Sequence, residues 1–302
     1  MAAVKTEFSE FIANEIKKYE GVWFPLRSSL PRRLLVRKTR CTNMHPNPDD
    51  EFSFPDIGPS YTIISDYEKR MKEEMSRGYS AWEGMDERIM VERMHPEGYM
   101  IINGHHRWAA AIRLGVKRAP IKILNLTHEE DIVNIIEKSR NTKRVTIDLN
   151  ELIFVKEADC PIEKKLHFPA NIRYKQNIRL GFPALCRFFQ SRGYDVWVFT
   201  SDYCSVDYIE GLLGRHRIKP DGIITASGRL QKTSESKKNH IKEIMKKKYK
   251  TPLNLYNDMV IAIDGQSGEY DQVAIDCPAH DWSAAVEDAV KKIEANDKKE
   301  TK

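Results

Sequence analysis

Two kinds of apolar pattern alternate along the chain. Tyr99-Met100-Ile101-Ile102 is a short apolar run closed by Gly98 and Gly104, and it predicts a buried strand. Trp108 to Leu114 carries apolar residues at helical spacing and stops at Gly115, which predicts a helix. Met90–Met94 and Tyr99–Ile102, joined by His95-Pro96-Glu97-Gly98, predict a β-hairpin. Glu7 to Tyr19 predicts an amphipathic helix with Phe8, Phe11, Ile12 and Ile16 on one stripe, and Glu68 to Met75 predicts another helix. A further strand ends near Ile123. Thr127 with Glu130 then suggests a capping box for a helix running to about Lys138.

The second half repeats a different motif. Val145-Thr146-Ile147 ends at Asp148, Tyr194 to Phe199 ends at Thr200-Ser201, and Met259 to Ile263 ends at Asp264-Gly265. Helical segments from Pro183 to Arg192 and Ser205 to Leu213 fall between them. Apolar strands with intervening helices predict a parallel sheet, and polar residues at carboxyl ends of such strands are where open α/β sheets bind ligands.

The densest chemistry lies at Asn103-Gly104-His105-His106-Arg107, a strand-to-helix turn. Unpaired N–H groups and the dipole of a helix start attract anions, Gly104 permits close approach, and Arg107 can grip a phosphate bidentately. Two adjacent His followed by Arg are not expected to be all core residues, because such groups are rarely buried unpaired. His45-Pro46-Asn47-Pro48-Asp49-Asp50-Glu51-Phe52 predicts a shaped acidic loop, in which Glu51 is the first choice for a general base because Phe52 beside it can fix its position.

Composition narrows the setting. The 302 residues suffice for two ordinary domains, and a 41% hydrophobic and 31% charged make-up describes a globular protein. No apolar run approaches the roughly 20 residues that span a bilayer, and the N-terminus lacks a secretory pattern, so no membrane partner and a cytoplasmic location are expected. Five scattered cysteines form no close metal-binding pair. The net charge of +5 owes much to Lys237, Lys238, Lys242, Lys246, Lys247, Lys248 and Lys250, a run read as a solvated helix face in preference to a nucleic-acid site. A second basic cluster, Arg27, Arg32, Arg33, Arg37, Lys38 and Arg40, could border a phosphate site.

At the Gly-His-His-Arg turn and its Ala-rich helix, the stretch from about Val36 to Leu126 resembles the ParB/sulfiredoxin superfamily. The resemblance implies ATP or CTP phosphates held by Asn103, Gly104, His105, His106 and Arg107. His105 stands where sulfiredoxin has its reactive Cys, so sulfinic acid reduction is not implied; the branch that includes a free-serine kinase is the closer likeness. His105 is then expected to contact the transferring group.

From Arg144 to Ile293 the ordered strand ends resemble the haloacid dehalogenase (HAD) superfamily. That likeness puts Asp148 in the place of the nucleophile, Thr200 in that of the phosphate-binding hydroxyl, and Lys237 or Lys238 in that of the phosphate-binding Lys. Asp264, with Glu269 or Asp271 in reserve, would join Asp148 as a magnesium ligand. The general acid and base two residues beyond the nucleophile is replaced by Asn150, and an amide can neither protonate a leaving alkoxide nor take a proton from water.

The sequence thus predicts an α/β protein: a helical extension over residues 1–35, a ParB/sulfiredoxin-like α+β domain over 36–126, a linker helix over 127–143, a HAD-like Rossmannoid parallel-sheet domain over 144–293 and a charged tail over 294–302. The leading functional expectation is nucleotide-dependent phosphoryl transfer, with ATP or CTP and magnesium, to a small-molecule acceptor. A phosphatase at Asp148 and a non-catalytic nucleotide-gated binding protein stay open beside it. The acceptor, the preferred base and the oligomeric state are not legible.

Overall fold

The computed structural model describes residues 2–85, 88–228, 235–256, 259–263, 270–275 and 281–300. The chain forms two compact units, the first ending at Asn125 and the second beginning at Leu126. Among the described residues no helix is long and apolar enough to cross a membrane.

The first unit comprises, in order, α1 (Ala2–Tyr19), β1 (Phe24–Leu26), α2 (Leu30–Leu35), β2 (Lys38–Arg40), β3 (Met44–His45), α3 (Tyr61–Ser76), β4 (Ile89–His95), β5 (Tyr99–Asn103), α4 (His105–Arg113) and β6 (Arg118–Leu124). Its mixed sheet runs β2-β6-β4-β5-β3, with β1 added at the end of β4. The expected hairpin forms as β4 and β5, antiparallel, with a register shift at Met90/Val91. Ile89, Val91, Ile101, Ile121 and Ile123 are buried from the sheet against Ile64 and Met71 of α3 and Trp108 of α4. Ala109, Ala110 and Ala111 are fully buried, their short side chains fitting α4 into a closely packed interior. Helix α1 buries Phe8 and Ile12, while Phe11 stays more exposed and stacks on Trp108.

The second unit comprises α5 (Glu129–Lys138), β7 (Lys143–Asp148), a π-helical turn at Leu149–Ile153, α6 (Ala170–Arg173), α7 (Phe182–Ser191), β8 (Tyr194–Phe199), α8 (Val206–Arg215), β9 (Gly222–Ile224), α9 (Glu235–Lys248), β10 (Thr251–Leu255), β11 (Met259–Ile263), β12 (Tyr270–Ala274) and α10 (Trp282–Glu300). Its sheet order is β12-β11-β10-β7-β8-β9. Strands β10, β7, β8 and β9 are parallel, around a core that includes Val145, Ile147, Val196, Val198 and Leu253.

Three expectations need correction here. Met259–Ile263 is not a parallel strand: β11 runs antiparallel to β10, so Ile263 lies toward the edge opposite Asp148. The strand next to β7 is β10, and only three residues separate it from β11, too few for the crossover a parallel pairing needs. The cap of α5 is also displaced by one residue. The His128 N–H donates to Asp131 Oδ2 (2.9 Å), while the Thr127 hydroxyl donates to the Ile223 carbonyl (2.8 Å) and accepts from the Thr225 N–H (3.2 Å). The helix expected as a linker belongs to the second unit, where Ile132 and Ile136 are buried with Trp197 and Tyr249.

Candidate functional site

The turn between β5 and α4 is built as its residues dictate. Gly104 has φ +99°, in the left-handed region where a side chain is strained, and it reverses the chain into α4. The cap position is Gly104 itself, which supplies no side-chain cap. Arg107 folds back over the glycine: a Cβ at position 104 would lie 3.1 Å from Nη2 and 3.3 Å from Nε. Its Nη2 donates to Asn103 Oδ1 at 3.1 Å, and the side chain is buried. Asn103, Gly104 and Arg107 are thus brought together at a helix start with glycine in the cap position, where the dipole favours negative charge.

The two histidines face the acidic loop. His105 Nε2 accepts the Asn47 N–H (3.2 Å), and Nδ1 lies 3.5 Å from Asp50 Oδ1. His106 Nε2 accepts the Ser60 N–H (3.0 Å), at the cap of α3. Phe52, buried, stacks on the His105 ring and meets the His106 ring edge-on. An acceptor Nε2 places the His105 proton on Nδ1, toward the Asp50 carboxylate. Burial pushes the His105 imidazole down to about 4 against the opposing pull of Asp50, and burial also lowers His106. Both rings act as neutral acceptors that fasten the 47–60 loop to α4.

This arrangement revises the reading of the turn. His105 and Arg107 are both buried, because distant backbone N–H groups and Asn103 provide partners that spacing alone does not show. His105 Nε2 is turned to the loop, while Nδ1 lies near both Asp50 and the Ile101 backbone of β5. Within the loop, the side chain facing His105 is that of Asp50, which also accepts the Phe52 N–H at 3.0 Å; Glu51 lies on the same 3₁₀ turn, partly exposed. Asn47 and Ser60 were missed because each acts through its backbone. His45, at the head of the loop, is held by Glu15 (2.8 Å) and Tyr19 (3.3 Å) of α1, and burial lowers its pKa.

In the second unit, Asp148 and Thr200 meet at the carboxyl ends of β7 and β8. Asp148 Oδ1 accepts the N–H groups of Asn150 (2.8 Å) and Glu151 (3.2 Å). Asn150 Oδ1 accepts the Thr200 hydroxyl (2.6 Å) and the Ser201 N–H (3.1 Å). With its oxygen doubly engaged, the Asn150 amide presents its NH₂ as a donor. Lys237 lies on α9, but its side chain is outside the described residues, as are Asp264 and Glu269; Asp271 lies on the antiparallel β12. Among the described residues no three His, Cys, Asp or Glu side chains are gathered as a metal site.

Comparison with known families speaks to the first of these sites. Residues 62–139 match the ParB N-terminal domain. The match covers about a quarter of the chain and contains the Gly104 turn and α4, but neither the 47–60 loop nor the Asp148 site. It agrees with the ParB/sulfiredoxin likeness of that stretch. No curated protein and no solved structure matched the chain.

Proposed function

We propose that the first unit binds a nucleoside triphosphate, ATP or CTP, with its phosphates at Asn103, Gly104, His106 and Arg107. One observation carries this reading: α4 opens on a left-handed glycine, with a guanidinium folded over it. Backbone N–H groups, that of His106 among them, would cradle the phosphates, and Arg107 would offset their charge. The nucleotide would bring magnesium, which needs one or two carboxylates beside phosphate oxygens. Glu51, on the 3₁₀ turn that Asp50 caps, would be the carboxylate to meet the ion or to take a proton from an acceptor.

Transfer of the terminal phosphoryl group to a small-molecule acceptor is the catalytic form of this proposal. The engaged His105 nitrogens favour a second form, in which nucleotide binds without transfer and alters the 47–60 loop. Calorimetric titration with ATP and CTP, with and without magnesium, tests binding. Radiolabel transfer from the γ-phosphate to hydroxyl acceptors separates the two forms. Absence of heat with every nucleotide would end both.

For the second unit we propose a HAD-like ligand site at Asp148, Asn150 and Thr200, joined through the Asn150 side chain. The amide in place of a carboxylic acid supports holding a phosphorylated or carboxylate ligand rather than turning it over.

A further inference from the structure

Between α1, α3 and α4 of the first unit lies a cleft of about 410 Å³, a size typical of small-molecule sites. Its apolar lining is Phe8 and Phe11 of α1 with Ile112 and Leu114 at the end of α4. Phe8, Phe11 and Trp108 form a stacked series, with successive ring centroids 6.1 Å and 6.4 Å apart. Phe8 and Trp108 are buried and belong to the core, whereas Phe11 stays 37% exposed and leaves an open aromatic shelf at the cleft. The cleft lies at the opposite end of α4 from the Gly104 turn. Arg113 is eight residues beyond His105, about 12 Å along the helix, and no residue of the turn lines the cleft.

Four charged side chains border the cleft: Glu7 of α1, Glu68 and Lys72 of α3, and Arg113 of α4, so its formal charge is zero. Arg113 Nε meets Glu68 Oε1 at 2.9 Å, and its guanidinium lies over the Phe8 ring, 5.3 Å from the centroid. That pair is mostly buried and neutralises itself. Glu7 and Lys72 are exposed, and among the described residues neither is in an ion pair. One unpaired charge of each sign at the rim of an apolar cleft is the complement of a zwitterion with an apolar body. We propose that the cleft binds a free α-amino acid with an aromatic side chain, its ring on the Phe11 shelf, its carboxylate at Lys72 and its ammonium at Glu7. Stacked rings gain beyond the area they cover, which favours phenylalanine over leucine. A polyanion would face the carboxylates of Glu7 and Glu68, and a polycation would face Lys72 and Arg113. The proposal does not rest on nucleotide binding at Gly104.

The test is calorimetric titration of the full chain with phenylalanine, leucine, lysine and glutamate, repeated with N-acetylphenylalanine and phenylalaninamide. Phenylalanine should bind best and leucine more weakly. Blocking the ammonium or the carboxylate should weaken binding about tenfold in each case, the loss of one charge-assisted hydrogen bond. Lys72→Gln should weaken phenylalanine about tenfold yet leave phenylalaninamide unchanged, and Glu7→Gln should weaken phenylalanine while sparing N-acetylphenylalanine. Both positions are exposed, so the unliganded melting temperature should stay that of wild type. Lys72→Arg, which keeps the charge, should bind nearly as wild type. Arg107→Ala should also bind phenylalanine as wild type does, which keeps this test apart from that of the Gly104 site. The proposal is overturned if wild type binds no phenylalanine, if lysine or glutamate binds as tightly, or if either Lys72→Gln or Glu7→Gln keeps wild-type affinity. Loss of phenylalanine binding in Arg107→Ala would overturn it as well, by moving the ligand to the turn.

Discussion

His105 and Asn47, 58 positions apart in the chain, are joined by a hydrogen bond in which the Asn47 N–H donates to Nε2 at 3.2 Å. With the parallel bond from Ser60 to His106, it makes the 47–60 loop depend on two neutral imidazoles. Removing the first ring leaves a buried N–H without its acceptor and a void beside Phe52. His105→Ala should therefore cost about 3 kcal/mol of stability. Urea denaturation at pH 7 measures it.

The same ring predicts a pH response. Its folded value, about 4, lies below the 6.5 of an ordinary imidazole, so the unfolded chain binds the extra proton first. The stability due to neutral His105 is fully present above about pH 6.5 and is lost as pH falls toward 4, with a total of about 3 kcal/mol. His105→Gln, which retains an acceptor without titrating, should show a shallower loss of stability between pH 7 and 5.5. Identical pH profiles for the two proteins would mean that His105 is not the group responsible.

Arg107→Ala should weaken nucleotide binding by about 1.5–3 kcal/mol, roughly 10- to 150-fold, because a charge-assisted bond to phosphate is removed. Gly104→Ala acts on the same site from the backbone. Its Cβ, 3.1 Å from Arg107 Nη2 at a left-handed φ, should cost about 1–3 kcal/mol in stability and displace the guanidinium. Calorimetry and thermal melts of both variants provide the check.

At the second site, wild type should turn over phosphomonoesters poorly with magnesium, above all those with alkoxide leaving groups. Asn150→Asp supplies a proton carrier and should raise the rate by about 10²–10⁴-fold if Asp148 is a competent nucleophile. Asp148→Asn should abolish the gain. Steady-state phosphate release decides; brisk wild-type hydrolysis that depends on Asp148 would contradict this account of the site.

Gly222 on β9 sits against the Trp197 ring, and a methyl group there would run into the indole carbons. Gly222→Ala should destabilise the second unit by about 1–3 kcal/mol through overpacking. Gly214→Ala, at an open position on α8, should be neutral or stabilising by up to about 1 kcal/mol. Denaturant midpoints compare the two.

What the sequence revealed was local. The turn at 103–107 is legible because an apolar strand, a glycine and an alanine-rich helix follow one another without a gap. The direction of β11 is not, because it depends on noticing β10, whose Thr-Pro-Leu-Asn-Leu breaks its apolar run. The same holds for the histidines. Their burial rests on N–H groups 58 and 46 positions away, and only the folded chain brings these to the rings. Asp50 and Glu51 are adjacent carboxylates, and which one turns to His105 is decided by the 3₁₀ turn that Asp50 caps.

Helix α5 carries a consequence for ancestry. The family match runs through it to residue 139, yet Ile132 and Ile136 complete the apolar cover of Trp197 and Tyr249 in the second unit. The stretch shared with other proteins and the stretch that packs as one body therefore end at different places. A recombination event that joined a foreign partner at the end of the match would take this helix away from the residues it shields. Exchanges that break the chain near Asn125 keep helix and shielded rings together, so selection on inherited fusions should favour that earlier junction.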